Sequence, residues 1–315
     1  MQKIRIGKLD FQDIKDSLKN YLSQQTEFTD YNFEGSNISQ LLNILAYNAH
    51  YDALAANFLA NEVFLDTATK RSSVISRAKE LGYNSRSRRA SSAILTVHID
   101  NLLNAESTPS VLVPRGTRFT TKVNEEIFTF TTKDTAILDK QIELGLPVFV
   151  GTVNVYEGVL TQNISTYDAT DSTITIPNID VDTTTLRVEL YEDSQWVEWT
   201  LPTSFLSVTS TSKVYMIQEG FNGYEIYFGD GVLGKKPIDG SQIRMTYVVT
   251  SGAVANGASV FSLSSNITGV GSNTIVTASV QSPSSGGLLE ESIESVKLNA
   301  KNIYSTQNRA VVAED

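Results

Sequence analysis

Two hydrophobic periods divide this chain, and the place where one gives way to the other constrains its fold more than any other feature. As far as Gly82 the apolar residues recur at intervals of three and four, which puts them on one face of a helix. From Ala93 they recur at two, the period of a strand with one buried face, beginning with Ile94, Leu95, Val97 and Ile99. Helices followed by a run of strands imply an α+β chain. The expected order is an N-terminal region of three helices, then mainly antiparallel β-domains, then a C-terminal helix.

Asp10 is placed to cap the first helix, whose stripe is Phe11, Ile14, Leu18 and Tyr21 and which should end near Gln25. Asn37, with Gln40 three residues on, has the pattern of a capping box and opens a second, longer helix. Along it Ile38, Leu42, Leu45, Ala49, Asp52, Ala56, Leu59 and Val63 alternate steps of four and three, a heptad-like seam interrupted only by Asp52. Ala49, Ala53, Ala55 and Ala56 leave room for a neighbouring helix to come close. Such a seam suits either packing among the three helices or an intermolecular bundle with other chains. Asp52, costly to bury unless paired, favours a definite partner or register in both cases. Asp66 is expected to cap the third helix, which stops at Leu81-Gly82-Tyr83, where glycine supplies the left-handed residue.

In the β-region Pro114 and Gly116 set a turn between strands, and Phe128, Phe130, Val148, Val150, Val153 and Val155 carry the alternation forward. Further strands are expected at 172–176, 186–191, 196–201, 214–217, 260–263 and 275–279. Gly229-Asp230-Gly231 offers the positive-φ positions of a tight reversal, and Asp239-Gly240 repeats the signal before Ile243, Met245, Tyr247 and Val249, so a meander of three strands is expected here. The resulting division is a helical assembly region at 1–87, a β-domain at 88–160 plus 236–285, an inserted small β-module at 161–235, and the start of a further helical or α+β region at 286–315. Residues 282–287, rich in Ser and Gly, read as a flexible joint. Glu290, Glu291 and Glu294 then load the first turns of a helix whose stripe, Ile293, Val296, Ala300 and Ile303 with Tyr304, has no evident counterpart. On this reading the chain is an incomplete subunit with a mobile C-terminal helix.

Charge and composition narrow the function classes. A net charge of −10 argues against wholesale attraction to nucleic acid or an anionic membrane. The absence of cysteine excludes disulfides, thiolate metal sites and cysteine nucleophiles, and His50 and His98 are too few for a multi-histidine metal site or most triads. Met1 to Lys8 lack the apolar core of a signal peptide, and no stretch approaches the ~20 apolar residues of a membrane span, so a soluble protein made in a cytoplasm is expected. No phosphate loop or dinucleotide fingerprint occurs, and the residues after Gly231 supply no carboxylates at the spacing of a calcium loop. Glu125-Glu126 and Glu290-Glu291 are adjacent pairs whose members point different ways. Neither cofactor, metal nor catalysis is expected.

Two surface features remain. Between Lys70 and Arg89 the basic residues Lys70, Arg71, Arg77, Lys79, Arg86, Arg88 and Arg89 face only Glu80, a local charge of +6. This strip reads as a docking face for an acidic neighbour, with Arg86, Arg88 and Arg89 foremost, or as a solvated helix face followed by a basic loop. Trp196 and Trp199 suit the core and rim of a small β-module, or a platform on which sugar stacks.

Several stretches, taken together and in order, resemble the baseplate wedge proteins of contractile-tailed, T-even-type bacteriophages, within the baseplate J-like family. They are Phe64-Leu65-Asp66 with Arg71-Ser72-Ser73-Val74 and Ala78-Lys79-Glu80-Leu81-Gly82-Tyr83; Val113-Pro114-Arg115-Gly116-Thr117; Phe228-Gly229-Asp230-Gly231 with Gly234; Gly252 with Asn256-Gly257; and Gly286-Gly287, Glu291-Ser292-Ile293-Glu294, Ala300 and Asn308-Arg309-Ala310-Val311. The resemblance implies a structural virion protein and no enzyme: two copies joined by a different wedge subunit through an N-terminal helical bundle, the wedges closing into a ring around the central hub. Such rings hold the sheath extended and pass on the signal to contract. The implied partners are a second copy of the chain, other wedge subunits, and neighbouring hub and sheath-proximal proteins, with no nucleic acid and no membrane, and assembly in the host bacterial cytoplasm. Members of this type run on past the position of Asp315. The alternative is a tail-associated carbohydrate-binding adhesin, which fits the β-content and the tryptophan pair but leaves the heptad-like helix unexplained.

Overall fold

The computed structural model describes residues 10–27, 31–102, 105–267, 270 and 274–306. They fall into two compact units, one drawn from residues 1–84 and 292–315, the other from 85–291.

In the first unit, α1 (Phe11–Ser23) starts as expected at Asp10, whose carboxylate accepts hydrogen bonds from the amides of Gln12 and Asp13. α2 (Asn37–Glu62) is capped one residue earlier than the expected capping box: the Ser36 hydroxyl accepts from the Ser39 amide at 3.0 Å. α3 (Arg71–Glu80) begins later than an Asp66 cap would place it, and its own N-cap, Lys70, makes no side-chain cap bond. The Glu62 carboxylate at the end of α2 takes that role, accepting from the amides of Thr69 at 2.8 Å and Lys70 at 3.2 Å. Asp66 is ion-paired with Lys301 instead. The α3 terminus is as expected: Gly82 at φ 82° lets its amide reach Lys79 O and the Tyr83 amide reach Ala78 O, the paired bonds of a Schellman end. α4 (Ile293–Thr306) corrects the expectation of an uncovered stripe. Val296 and Ala300 are fully buried in one cluster with Ala68, Val74, Ile75 and Ala78, so α3 and the turn before it supply the counterpart.

Among its described residues the second unit is built of strands, with two short 3-10 turns at Phe205–Ser207 and Gly252–Ala255. In chain order its strands are β1 (Ser92–Asp100), β2 (Ser110–Val113), β3 (Arg118–Val123), β4 (Glu126–Thr132), β5 (Ala136–Glu143), β6 (Leu146–Glu157), β7 (Val159–Thr166), β8 (Thr173–Thr175), β9 (Val181–Glu192), β10 (Gln195–Trp199), β11 (Tyr215–Glu219), β12 (Tyr224–Phe228), β13 (Gln242–Val249), β14 (Ser262–Leu263) and β15 (Ile275–Val280). β1 to β6 with β14 and β15 form an eight-stranded antiparallel sheet in the order β14-β3-β4-β6-β1-β15, with β5 also on β6 and β2 on β5. Its core is Leu95, Val97 and Ile99 of β1 with Phe119, Phe130 and Phe149. A four-stranded sheet, β10-β9-β13-β7, and a three-stranded sheet, β11-β12-β8, share a second core around Tyr167, Leu190, Trp199, Ile226, Met245 and Tyr247.

The expected meander after Gly229 is not formed. β12 and β13 lie in different sheets, and the chain between them is a folded loop in which the Asp230 carboxylate accepts from the amides of Val232 at 2.9 Å and Leu233 at 2.8 Å. Gly229 stands too close to Gly234 for any side chain, and Lys235 closes the loop onto Glu192 at 2.7 Å. β13, from the 236–285 range read above as part of the first β-domain, hydrogen-bonds with β7 and β9 and buries Ile243, Met245 and Tyr247 in the second core.

Residues 282–287 are no flexible joint. The Ser284 hydroxyl accepts from the Ala258 amide at 2.9 Å and donates to Ala255 O at 2.7 Å, and the Gly257 amide reaches Ser284 O at 2.8 Å. Asn256 clasps the Gly287 backbone with two bonds of 3.0 Å, one donated and one accepted. Serine and glycine occur here because two backbones pass at hydrogen-bonding distance, not because the chain is loose.

Candidate assembly interface

The site that the sequence reading singles out lies on α2. At 1.5 Å per residue its 26 residues span about 39 Å, against about 20 Å for the 13 residues of α1, which packs on it. α1 therefore covers at most half of one side. The residues of α2 that are buried are Ser39, Leu42, Ala46 and Asn57.

The expected seam is consequently divided. Leu42 is 4% exposed, and Ile38 and Ala49 are half-buried. Leu45 at 55%, Leu59 at 66%, and Val63, Asp52 and Ala56 face solvent. Asp52 is thus not a buried charge within the single chain, and its cost arises only if another chain covers it.

A second seam escapes the sequence reading. Ile44, Tyr47, Tyr51, Leu54 and Phe58 follow steps of three, four, three and four, and all five are exposed. This is the spacing of a coiled-coil face. Its signal was present in the sequence, but a helix apolar on most sides lets one stripe mask another. Between Asn37 and Glu62 there is no lysine or arginine, and the only acids are Asp52 and the terminal Glu62. Helices of that kind are found inside bundles, whereas among the described residues most large apolar side chains of this one are exposed.

Local chemistry holds the aromatic stripe in order. The Tyr47 hydroxyl donates to that of Tyr51 at 3.0 Å, and this bond together with the neighbouring phenol pushes the Tyr47 ionisation above its ordinary value. His50 stands edge-on to Tyr51 at 5.9 Å, and the Lys70 ammonium sits 5.0 Å from the centre of the Phe58 ring. At the helix end, burial pushes the Glu62 carboxyl up, but the hydroxyl and amide of Thr69, with Ser73 and the Lys70 amide, outweigh it and hold its pKa down to about 2.

The basic strip is divided between the two units. Lys70, Arg71, Arg77 and Lys79 belong to the first unit and Arg86, Arg88 and Arg89 to the second. Arg77 pairs with Glu80 at 2.7 Å and Arg88 with Asp180 at 3.2 Å. Arg86 and Arg89 have exposed side chains, and their amides are held by the Glu291 carboxylate at 3.1 Å and by Leu288 O at 3.0 Å.

Of the tryptophans, Trp199 is 1% exposed and belongs to the core. Trp196 has the Arg244 guanidinium 4.3 Å over one face and Tyr191 at 5.2 Å, so it offers sugar no open platform on that face. Among the described residues no cluster of three or more His, Asp or Glu is placed to hold a metal, and no helix is long and apolar enough to cross a membrane.

Comparison with known proteins places both units. Residues 10–83 match the family model described as baseplate wedge protein gp6-like, helical domain, and residues 159–256 match that of bacteriophage baseplate wedge protein gp6, third domain. Baseplate wedge protein gp6 of Enterobacteria phage T4 is 32% identical over 97% of this chain, and the chain spans 48% of that relative's length. A chain of the cryo-EM structure of the anti-feeding prophage (AFP) baseplate, 6-fold symmetrised, aligns over 98% of this chain and 63% of its own, but 12% identity and a TM-score of 0.33 do not establish a shared fold. Two domain models of one protein, matched in order, and identity sustained along nearly the whole sequence lead to one conclusion: the chain belongs to the gp6-like baseplate wedge proteins.

Proposed function

We propose that this chain is a structural component of a phage tail baseplate wedge, that it has no catalytic role, and that α2 is its assembly element. The observation that carries the reading is that α2 leaves eight large apolar or aromatic side chains, from Leu41 to Leu59, exposed in the single chain. Two faces, one holding Leu45, Asp52, Ala56 and Leu59 and the other Ile44 to Phe58, give places for two partner helices. A second copy of the chain and a different wedge subunit would fill them. Wedges built in this way would close into a ring around the central hub, next to hub and sheath-proximal proteins, and take part in controlling sheath contraction. The protein would then be a virion component assembled in the host cytoplasm. Arg86 and Arg89, with exposed side chains, are secondary candidates for docking an acidic neighbour. The adhesin alternative is weakened by the burial of Trp199 and the covered face of Trp196.

The test is co-expression with the neighbouring tail genes and native mass measurement. Burying each leucine contributes on the order of 2 kcal/mol. Leu45→Asp with Leu59→Asp should therefore abolish a defined hetero-oligomer while the isolated chain keeps its thermal midpoint, since both side chains are exposed in it. Leu42→Asp would not separate the two readings, because Leu42 is already internal. An unchanged complex in the double variant would refute the assignment of α2.

A further inference from the structure

Four steps in the chain pair an Asn or Asp with a following glycine: Asn222-Gly223, Asp230-Gly231, Asp239-Gly240 and Asn256-Gly257. In such a step the glycine nitrogen can attack the side-chain carbonyl carbon before it, since glycine has no Cβ to obstruct ring closure and adopts the backbone angles that closure needs. Closure requires two freedoms. The side chain must swing onto the glycine nitrogen, and that nitrogen must be able to give up its proton.

The fold removes both freedoms at three of the four steps. Asp230 accepts from the amides of Val232 and Leu233, and the Gly231 amide donates to Gly234 O at 3.0 Å. Asp239 accepts from the Ala169 amide at 2.9 Å, and the Gly240 amide donates to Tyr167 O at 2.9 Å. Asn256 is held by the Ser91 hydroxyl at 2.8 Å and by its two bonds to Gly287, and the Gly257 amide donates to Ser284 O at 2.8 Å. Asn222-Gly223, in the turn between β11 and β12, differs in both respects. The Asn222 side chain is exposed and makes no hydrogen bond among the described residues. The Gly223 amide donates to nothing among them either, because the turn is closed by the reverse bond, from the Gly220 amide to Gly223 O at 2.6 Å. Gly223 stands at φ 125°, and a Cβ there would meet nothing nearer than Ile176 O at 4.0 Å, so the ring has room to form.

We propose that Asn222 is a deamidation site of the folded protein. The Gly223 amide loses its proton to solvent base, its nitrogen bonds to Asn222 Cγ, and the side-chain nitrogen leaves as ammonia. Water then opens the cyclic imide at one carbonyl or the other, giving aspartate or isoaspartate with no change of oxidation state. The new carboxylate joins those of Glu219, which accepts from the Ser85 hydroxyl, and Glu225, which lies against Gly220. Isoaspartate also lengthens the backbone inside the turn that the Gly220–Gly223 bond closes.

The test is incubation of the intact chain at neutral and at mildly alkaline pH, followed by peptide mapping with mass spectrometry, which reads the amide-to-acid mass gain and separates isoaspartate by its elution. In the folded chain the Asn222 peptide should convert at least about tenfold faster than the Asn256 peptide, which reacts only after its hydrogen bonds open. Conversion at Asn222 should speed up with pH, as loss of the Gly223 proton requires. In urea the gap between the two peptides should close. Asn222→Gln, whose longer side chain would have to close a larger ring, should leave that peptide unchanged over the same period. An Asn222 peptide that stays intact until urea is added, or an Asn256 peptide that converts as fast in the folded chain, would overturn the site.

Discussion

The Tyr47 hydroxyl lies 3.0 Å from that of Tyr51, one turn farther along α2, with the rings 4.7 Å apart and inclined at 58°. Both rings are exposed, so this ordered pair contributes little inside the single chain.

Replacing the pair by Tyr47→Ser with Tyr51→Ser tests the second seam separately from the first. The isolated chain should change by no more than about 0.5 kcal/mol in urea unfolding, as exposed substitutions do. Complexes with co-expressed tail proteins should dissociate at least tenfold more readily, because buried aromatic anchors dominate interfaces. A loss in the isolated chain with no change in the complex would mean that the stripe packs internally.

Glu62 makes the start of α3 sensitive to acid. Its folded pKa of about 2 lies below the ordinary 4.5, so the carboxylate stabilises the folded state fully above pH 4.5. That contribution declines as pH falls from 4.5 towards 2. Allowing for solvent screening at a half-buried site, it is on the order of 1–2 kcal/mol. Glu62→Gln should be destabilised by that amount at pH 7 and should lose less than the parent between pH 4.5 and 3. Urea unfolding at three pH values gives the comparison, and parallel pH profiles for the two proteins would remove Glu62 from this role.

What could be read from the sequence divides along physical lines. α1, the glycine stop of α3 and the turn at Pro114-Arg115-Gly116 were legible because their signals are local: a cap, a positive φ, an apolar period. The β1 alternation was legible for the same reason, with Leu95, Val97 and Ile99 buried as its period requires. Strand partners were not, since the loop from Gly229 carries hairpin residues but its length and its bond to Glu192 send β13 to a different sheet from β12. β5 and β7 were missed because Asp139, Lys140, Gln141, Thr161, Gln162 and Asn163 dilute their apolar alternation. Ser284 and Asn256 look like loop residues until their partners 26 to 31 positions away are known. The long helix α2 was legible, and so was one of its apolar stripes, but how much of that stripe α1 covers is a tertiary fact.

The C-terminal helix gives the clearest test of tertiary cover. Its stripe has no counterpart nearby in sequence, and α4 would hold little helix by propensity alone, so rapid amide exchange was the expectation from sequence. In the structure Val296 and Ala300 are closed over by Val74, Ile75 and Ala78, Asn299 donates to the Tyr83 hydroxyl at 3.2 Å, and Lys301 pairs with Asp66. Amides from about Val296 to Ile303 should therefore exchange at rates close to those of α3, not at the rate of a frayed end. Val296→Ala opens a cavity at a fully buried position and should cost about 2 kcal/mol, felt equally by α3 and α4 because they share one cluster. Hydrogen exchange with mass spectrometry resolves both helices in one experiment. Loss of protection in α4 alone, with α3 unaffected, would show that α3 holds its core without the C-terminal helix and that the shared cluster is not the unit of stability.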